Sequence, residues 1–264
     1  MVSLMEQLLA SLKSIHSHKI MKRILGQDTM SFEYIAHEGE IFFYVTCSKY
    51  YKKLIEKQIN GFYTDAVIEE TKEINIFKWR KEFSTCYLNT IKSFAYPIKT
   101  YQKLESDSIN NITWAFSKLD EHESAAIQIM LKPIADTWQW KSTKISNKMM
   151  HSKTSHLTLN PLKILVWAIN MFVSSSDDTP QTPENNNSSA LTQERAKTVD
   201  EKDDKVWYQA IIRIITTWND KSDTESELKN IISSFAQFNY PELNKFWPSL
   251  YHSEKALIKN YIYR

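Results

Sequence analysis

Glycine is nearly missing from this chain: Gly26, Gly39 and Gly61 are the only three in 264 residues, and they stand far apart. A phosphate-binding loop needs glycines close together so that backbone amides can wrap an anion, and neither GxxxxGK[ST] nor GxGxxG occurs. The usual ways of holding ATP or a dinucleotide are therefore closed to these residues, and no cofactor is expected. Cysteine is equally sparse. Cys47 and Cys86 lack CxxC spacing, which fits two reduced, packed side chains in a reducing compartment, with a disulfide between them as the alternative. Long apolar runs are lacking too. The best, residues 162–173, is about twelve residues long and interrupted by Lys163 and Asn170, where crossing a bilayer takes roughly twenty. The first residues, MVSLMEQLLASLKSIHSHK, are amphipathic and acidic at Glu6, without the apolar core of a signal peptide. An excess of one charge is also missing: 33 basic and 31 acidic side chains leave a net +2. No whole-molecule field gathers nucleic acid or anionic lipid, so any such binding must be local.

What is present is the material of a folded protein. Hydrophobic residues make up 42% and aromatic residues 12% of the chain, enough to core one large domain or two ordinary ones. Leu4, Leu8, Leu9, Leu12 and Ile15 recur at helical spacing. The period then drops to two. Phe32, Tyr34 and Ala36 alternate, a turn falls at His37 to Gly39, and Ile41, Phe43 and Val45 resume the alternation, which predicts a β-hairpin. From Ser48 as N-cap, Tyr51, Leu54, Ile55, Gln58 and Ile59 share a helical face, and residues 65–70, DAVIEE, read as a short strand. The first unit, residues 1–80, is thus α-ββαβ.

A second unit, residues 81–250, opens with strand-like CYLNTIKSFAYPI, which Pro97 ends for want of an amide donor. SDSINNITWAFSKL reads as a helix capped by Ser106 or Ser108, and SAAIQIMLKPI as a well-buried strand. The expected partner strand is delayed. Residues 138–204 form an insertion with helical stretches at 138–150 and 161–173 and a Ser, Asn and Pro-rich tether, 174–200, expected to be disordered. Strand pattern returns in VWYQAIIRIITTW, followed by a helix over TESELKNIISSFAQF with a capping box at Thr224 and Glu227 and a weak strand in NKFWPSL. The order βαβ, insertion, βαβ predicts an α+β, ferredoxin-like sheet. Burial is the reason for joining the halves: AIIRII is too apolar for an exposed edge, and a long excursion at a hairpin tip costs little because closure entropy grows logarithmically with length. The joining requires Ile129 to lie beside Ile212.

Catalytic and metal-ligating patterns do not rise above background. His16 and His18, if helical, point about 200° apart and cannot share an ion. His151 and His156 lie in a Ser and Thr-rich stretch without acidic or thiol neighbours, Glu121, His122 and Glu123 read as a solvated turn, and no GxSxG elbow occurs. No catalytic, cofactor or metal residue is assigned, and the chain is not expected to be an enzyme. Two basic clusters suit a phosphate backbone: Lys49, Lys52 and Lys53 interleaved with Tyr50 and Tyr51, and Lys141, Lys144 and Lys148 beside Trp138 and Trp140. Solvated helix faces over packed aromatics are the plainer account of both.

Several stretches taken together, LMEQLLASLKSI, SFEYIAHEGEIFFYV, LIEKQINGFYTDAVIEE, YPIKTYQKLESDSINNITWAFSKL, SAAIQIMLKPIADTW, LTQERAKTVDEKDDKVWYQAIIRII and SSFAQFNYPELNKF, resemble the region ahead of the ATPase module in type IV secretion and conjugation coupling proteins and HerA/FtsK-type DNA-translocating ATPases. They run over most of residues 4–250. Thr64 departs from the proline such proteins tend to have there. The resemblance implies a non-catalytic assembly domain on the cytoplasmic side of the membrane, with residues 251–264 a helix leading to an ATPase module outside this sequence. It implies self-association, secretion-channel partners and membrane contact through segments not in this chain. A single-stranded nucleic-acid-binding module is the alternative.

Overall fold

A computed structural model describes residues 2–72, 74–78, 82–104, 107–135, 143, 197–199, 201–202, 205–240, 243–249 and 254–263. Its frame is a six-stranded sheet in the order β2-β1-β4-β5-β3-β6, antiparallel at every pairing. The strands are β1 (Met30–His37), β2 (Glu40–Thr46), β3 (Glu82–Thr90), β4 (Ser124–Pro133), β5 (Tyr208–Trp218) and β6 (Phe246–Ser249). Around them lie α1 (Val2–Leu12), α2 (Ile20–Leu25), α3 (Lys52–Phe62), α4 (Ser108–Phe116), α5 (Lys221–Ser234) and α6 (Glu254–Tyr263). The class is α+β. The required pairing is present: Ile129 and Ile212 are direct partners in the β4–β5 ladder. Pro133 pairs with Tyr208 at the end of the same ladder, so the long excursion leaves and re-enters the sheet at one place.

The β1–β2 hairpin joins this sheet, because β1 pairs with β4 on its other side, Phe32 opposite Ile129. Its turn is the two-residue kind in which both central residues take positive φ, Glu38 at 52° and Gly39 at 77°. That handedness matches the twist of the strands it connects, and glycine tolerates it without a Cβ clash.

Strand alternation sorts side chains to two covered faces. Tyr34, Ile127, Ile214 and Cys86 stand in one cross-strand row, and Ile127, Ile214 and Cys86 pack with Phe116 of α4 and Leu228 and Ile231 of α5. Full burial of each such isoleucine contributes about 1.5–3 kcal/mol. Toward the far end of the same face, α1 and α3 bring Leu8, Leu12 and Ile55 onto Phe32 and Leu131. The opposite face carries Ile35, Ala126 and Ile215, packed against Ile76 and against Leu257 and Tyr261 of α6.

Several local expectations are corrected. Residues 65–70 form no strand: the stretch is exposed throughout and pairs with nothing in the sheet, so the first unit lacks its final β element. With β4 already holding one side of β1 and two glutamates in the stretch, DAVIEE has no apolar face to bury there, and the chain reaches the core only at Ile76. The strand expected to begin near Cys86 starts earlier, at Glu82, and ends at Thr90, before Pro97. Helix α4 is capped by Asp107, whose carboxylate accepts from the Ile109 amide at 3.0 Å, and not by a serine. Helix α3 starts after Tyr51 without a side-chain cap, so Ser48 does not serve. The capping box at Thr224 and Glu227 is also absent. Helix α5 starts a turn earlier, capped by Asp220, and buried Thr224 instead meets Ser84 Oγ at 2.8 Å, tying the helix to β3. Residues 197–199, within the expected tether, are helical with Val199 buried. Of the helix expected at 138–150, residue 143 alone is described, and it is helical; the helix expected at 161–173 and the rest of the tether lie outside the described residues.

Candidate functional site

The expected basic site is brought together only in part. Lys49 and Lys53 are exposed beside Tyr50, but Lys52 is held by the Glu70 carboxylate, with Glu56 at 3.9 Å. The hydrogen bond to Glu70 raises the Lys52 pKa and lowers that of Glu70. Tyr51 is drawn inward, its hydroxyl donating to Asp28 at 3.2 Å. This cluster therefore offers two exposed lysines in place of three. Lys141, Lys144 and Lys148 lie outside the described residues.

The histidine reading is corrected as well. Helix α1 ends at Leu12 and a 3-10 turn at Ile15, so His16 and His18 are in extended chain, their rings edge to face with centroids 4.8 Å apart. Among the described residues no group of three or more His, Cys, Asp or Glu side chains is placed to hold a metal ion. Both cysteines are unpaired; burial pushes the Cys86 thiol up to about 12, and burial followed by the Glu56 charge raises Cys47. Neither thiol is primed as a nucleophile. A serine and histidine do meet where β1 faces β4: His37 Nδ1 lies 2.7 Å from Ser124 Oγ, with Glu38 at 3.5 Å from Nε2. Ser124 is wholly buried, so its hydroxyl cannot reach a substrate and the pair fastens two strands.

The most unusual chemistry lies on this same face of the sheet, the one that carries Ile35 and Ala126. Glu33, Gln128 and Arg213 are direct cross-strand neighbours on β1, β4 and β5, and all three are buried. Their geometry forms a relay. Ser31 Oγ donates to Glu33 Oε1 at 2.5 Å, Gln128 Nε2 donates to the same oxygen at 3.1 Å, and Gln128 Oε1 accepts from Arg213 Nη1 at 2.5 Å. The amide turns its donor to the acid and its acceptor to the cation, which settles its orientation.

This row grips α6. Gln128 Nε2 also donates to the Tyr261 carbonyl at 3.2 Å, and Arg213 Nη1 to the Asn260 carbonyl at 2.7 Å, with Met130 Sδ at 2.9 Å. Carbonyls in the last turn of a helix have no partner within it, and a cation there also meets the negative end of the helix dipole. The Arg213 guanidinium sits 5.6 Å from the centre of the Tyr87 ring, whose hydroxyl accepts from Asn260 Nδ2 at 3.3 Å. Leu257 and Tyr261, four residues apart on one helical face, press the helix onto the sheet.

Beside the row, an open cleft of about 360 Å³ is lined by Asp28, Ser31, Thr46, Met130, Ile262 and Tyr263 among others. Ser31 and Met130 belong to both the cleft wall and the buried network, so the cleft and the end of α6 share atoms. Asp28 is engaged by Lys22 Nζ at 2.6 Å. The arrangement positions a helix against the sheet beside an open cleft. The row escaped sequence reasoning because Gln128 and Arg213 sit inside apolar strands. Two long polar side chains interrupting otherwise buried runs, QIM and IRI, were the signal.

A family model described as a domain of unknown function, DUF8128, matches residues 1–255. No curated protein and no solved structure matches the chain. Among the described residues no helix is long and apolar enough to cross a membrane.

Proposed function

The chain belongs to the DUF8128 family, and we propose that it is an assembly and interaction domain of a membrane-associated translocation ATPase of the type IV secretion kind, acting on the cytoplasmic side of the membrane without chemistry of its own. Within it we read a ferredoxin-like module. The units β3-α4-β4 and β5-α5-β6 interleave so that their strands stand in the order β6-β3-β5-β4, which within the module is fourth, first, third, second. Helices α4 and α5 share one face of those strands, as a split βαβ pair requires.

The observation that carries the proposal is the grip of Gln128 and Arg213 on the last carbonyls of α6. In proteins of the kind this chain resembles, the motor module follows this region. A helix fastened to the sheet by one charge-assisted hydrogen bond from Arg213 and one neutral bond from Gln128 would pass a displacement between motor and sheet with little slack, where a linker would absorb it. The nucleic-acid alternative has less support, since Lys52 is already engaged by Glu70 and Glu56.

The test has two parts. The reading frame past codon 264, or its genomic neighbours, should encode a P-loop ATPase, and secretion or transfer by the source cell should fall at least about tenfold in an Arg213→Met strain whose domain still accumulates. A frame and neighbourhood without such an ATPase would refute the machine; undiminished transport by Arg213→Met would refute the role of the grip.

A further inference from the structure

The two edges of the sheet are guarded very differently. On one side stands β6, four residues long and carrying Pro248, which has no amide to offer a neighbour. On the other stands β2, seven residues, EIFFYVT, with no proline, lysine or arginine and no bulge in its continuous ladder to β1. Natural sheets blunt exposed edges with short strands, proline, lysine or bulges. Among the described residues, one edge of this sheet is blunted and the other is not.

The pairing of β2 determines which backbone groups face outward. His37 and Glu40 close the two-residue turn, so Glu40, Phe42, Tyr44 and Thr46 direct their amides and carbonyls to β1 by the alternation of an antiparallel ladder. The groups of Ile41, Phe43 and Val45 point away from the sheet. Among the described residues, none of the three takes part in a backbone hydrogen bond of a loop or turn. Their side chains share one face, and Phe43 is 65% and Val45 37% exposed, with the Phe43 ring edge to face against Tyr34 at 4.9 Å.

We propose that β2 is a homodimerisation edge, at which a second copy of this chain adds its own β2 antiparallel about a two-fold axis through Phe43. The strand complements itself in that register. Phe43 meets its own copy as a hydrogen-bonded pair, Ile41 lies opposite Val45, Phe42 opposite Tyr44, and Glu40 opposite Thr46. Aromatic and β-branched partners then match on both faces, no like charges oppose one another, and all three outward-facing residues have ladder partners. A two-fold interface needs such self-complementarity, and a closed pair removes the edge that would otherwise propagate. The unsuitability of β6 stops growth on the far side. The interface is independent of which machine the chain serves.

Sedimentation velocity of the full chain across about 1–500 µM should show a reversible monomer–dimer equilibrium. Phe43→Lys, which sets two ammonium groups opposite each other at the axis, should weaken it at least about tenfold, and Val45→Lys should weaken it while sparing the axis. Both positions are exposed, so thermal melts of the variants should stay close to that of the parent. In a Cys47→Ser background, Phe43→Cys should form an intermolecular disulfide under mild oxidation. Hydrogen-bonded partners lie about 5.5 Å apart at Cα, within disulfide reach. Val67→Cys, exposed and off the strand, should not cross-link. A chain monomeric throughout, a dimer indifferent to both lysine substitutions, or a dimer that fails to cross-link at Phe43→Cys would each overturn the assignment.

Discussion

Replacing Arg213 by methionine keeps an unbranched side chain of similar volume and removes the charge, so it isolates what the buried guanidinium does. The wild-type group makes hydrogen bonds of 2.5 Å to Gln128 and 2.7 Å to the Asn260 carbonyl, and its Nε has no partner among the described residues, so its own desolvation is only partly offset. Hydrogen bonds to a charged group contribute about 1.5–3 kcal/mol each. Arg213→Met loses both of these bonds and should therefore lower stability by about 3–5 kcal/mol, a large share of the roughly 5–15 kcal/mol a domain has. Glu33, one amide away through Gln128, keeps Ser31 and Gln128 as partners. If the row acts as one unit, adding Glu33→Gln at its other end should cost less than the sum of the singles by at least about 1 kcal/mol. Urea unfolding followed by tryptophan fluorescence measures all four corners of the cycle, and hydrogen exchange on α6 should rise selectively in Arg213→Met. A single variant within about 1 kcal/mol of the parent, or additive behaviour in the double, would show that the row does not act as a linked unit.

Three further outcomes follow from local geometry. Burial, more than the Glu123 charge, raises the Glu227 pKa above its ordinary value; a carboxyl raised on folding binds its proton more tightly in the native state, so stability falls as pH climbs from the unfolded to the folded pKa. Glu227→Gln should therefore stabilise by about a few tenths of a kcal/mol at pH 7, solvent screening keeping the effect small, and the gain should vanish below the unfolded carboxylate pKa in melts across pH. Asp220→Ala removes the cap that accepts from the Ser222 amide at 2.7 Å and hydroxyl at 2.6 Å and should cost about 1 kcal/mol in chemical denaturation, with Asp220→Asn recovering most of it. Gly39→Ala forces a side chain into φ 77° and should cost about 1–2 kcal/mol by the same assay.

Alternation and burial were enough to place the sheet's centre from sequence. Because AIIRII is too apolar for an edge, it had to find cover, and the strand with matching alternation was the one holding Ile129. The helix starts were less legible. Ser48, Ser106, Ser108 and Thr224 all have the chemistry of a cap, and which hydroxyl or carboxylate takes the role depends on where packing begins the helix. At α5 that choice also freed Thr224 to meet Ser84 across the core. The polar row was hidden for another reason. Glu33, Gln128 and Arg213 come from three distant parts of the chain, and only register places them side by side. His16 and His18 show the converse, since a helical geometry assumed for them separated rings that the extended chain brings together.

The strand order also bears on how the protein is made. Both neighbours of β3, namely β5 and β6, come far after it in sequence, at Tyr208–Trp218 and Phe246–Ser249. During synthesis β3 emerges long before either and must wait, its apolar Cys86 and Leu88 without these neighbours, until Tyr208 and the residues after it are translated. Long-range pairing of this sort folds slowly and leaves sticky intermediates. A ribosome stalled before Tyr208 would present an incomplete sheet, and nascent chains of this protein should depend on holding chaperones until β5 slots between β4 and β3.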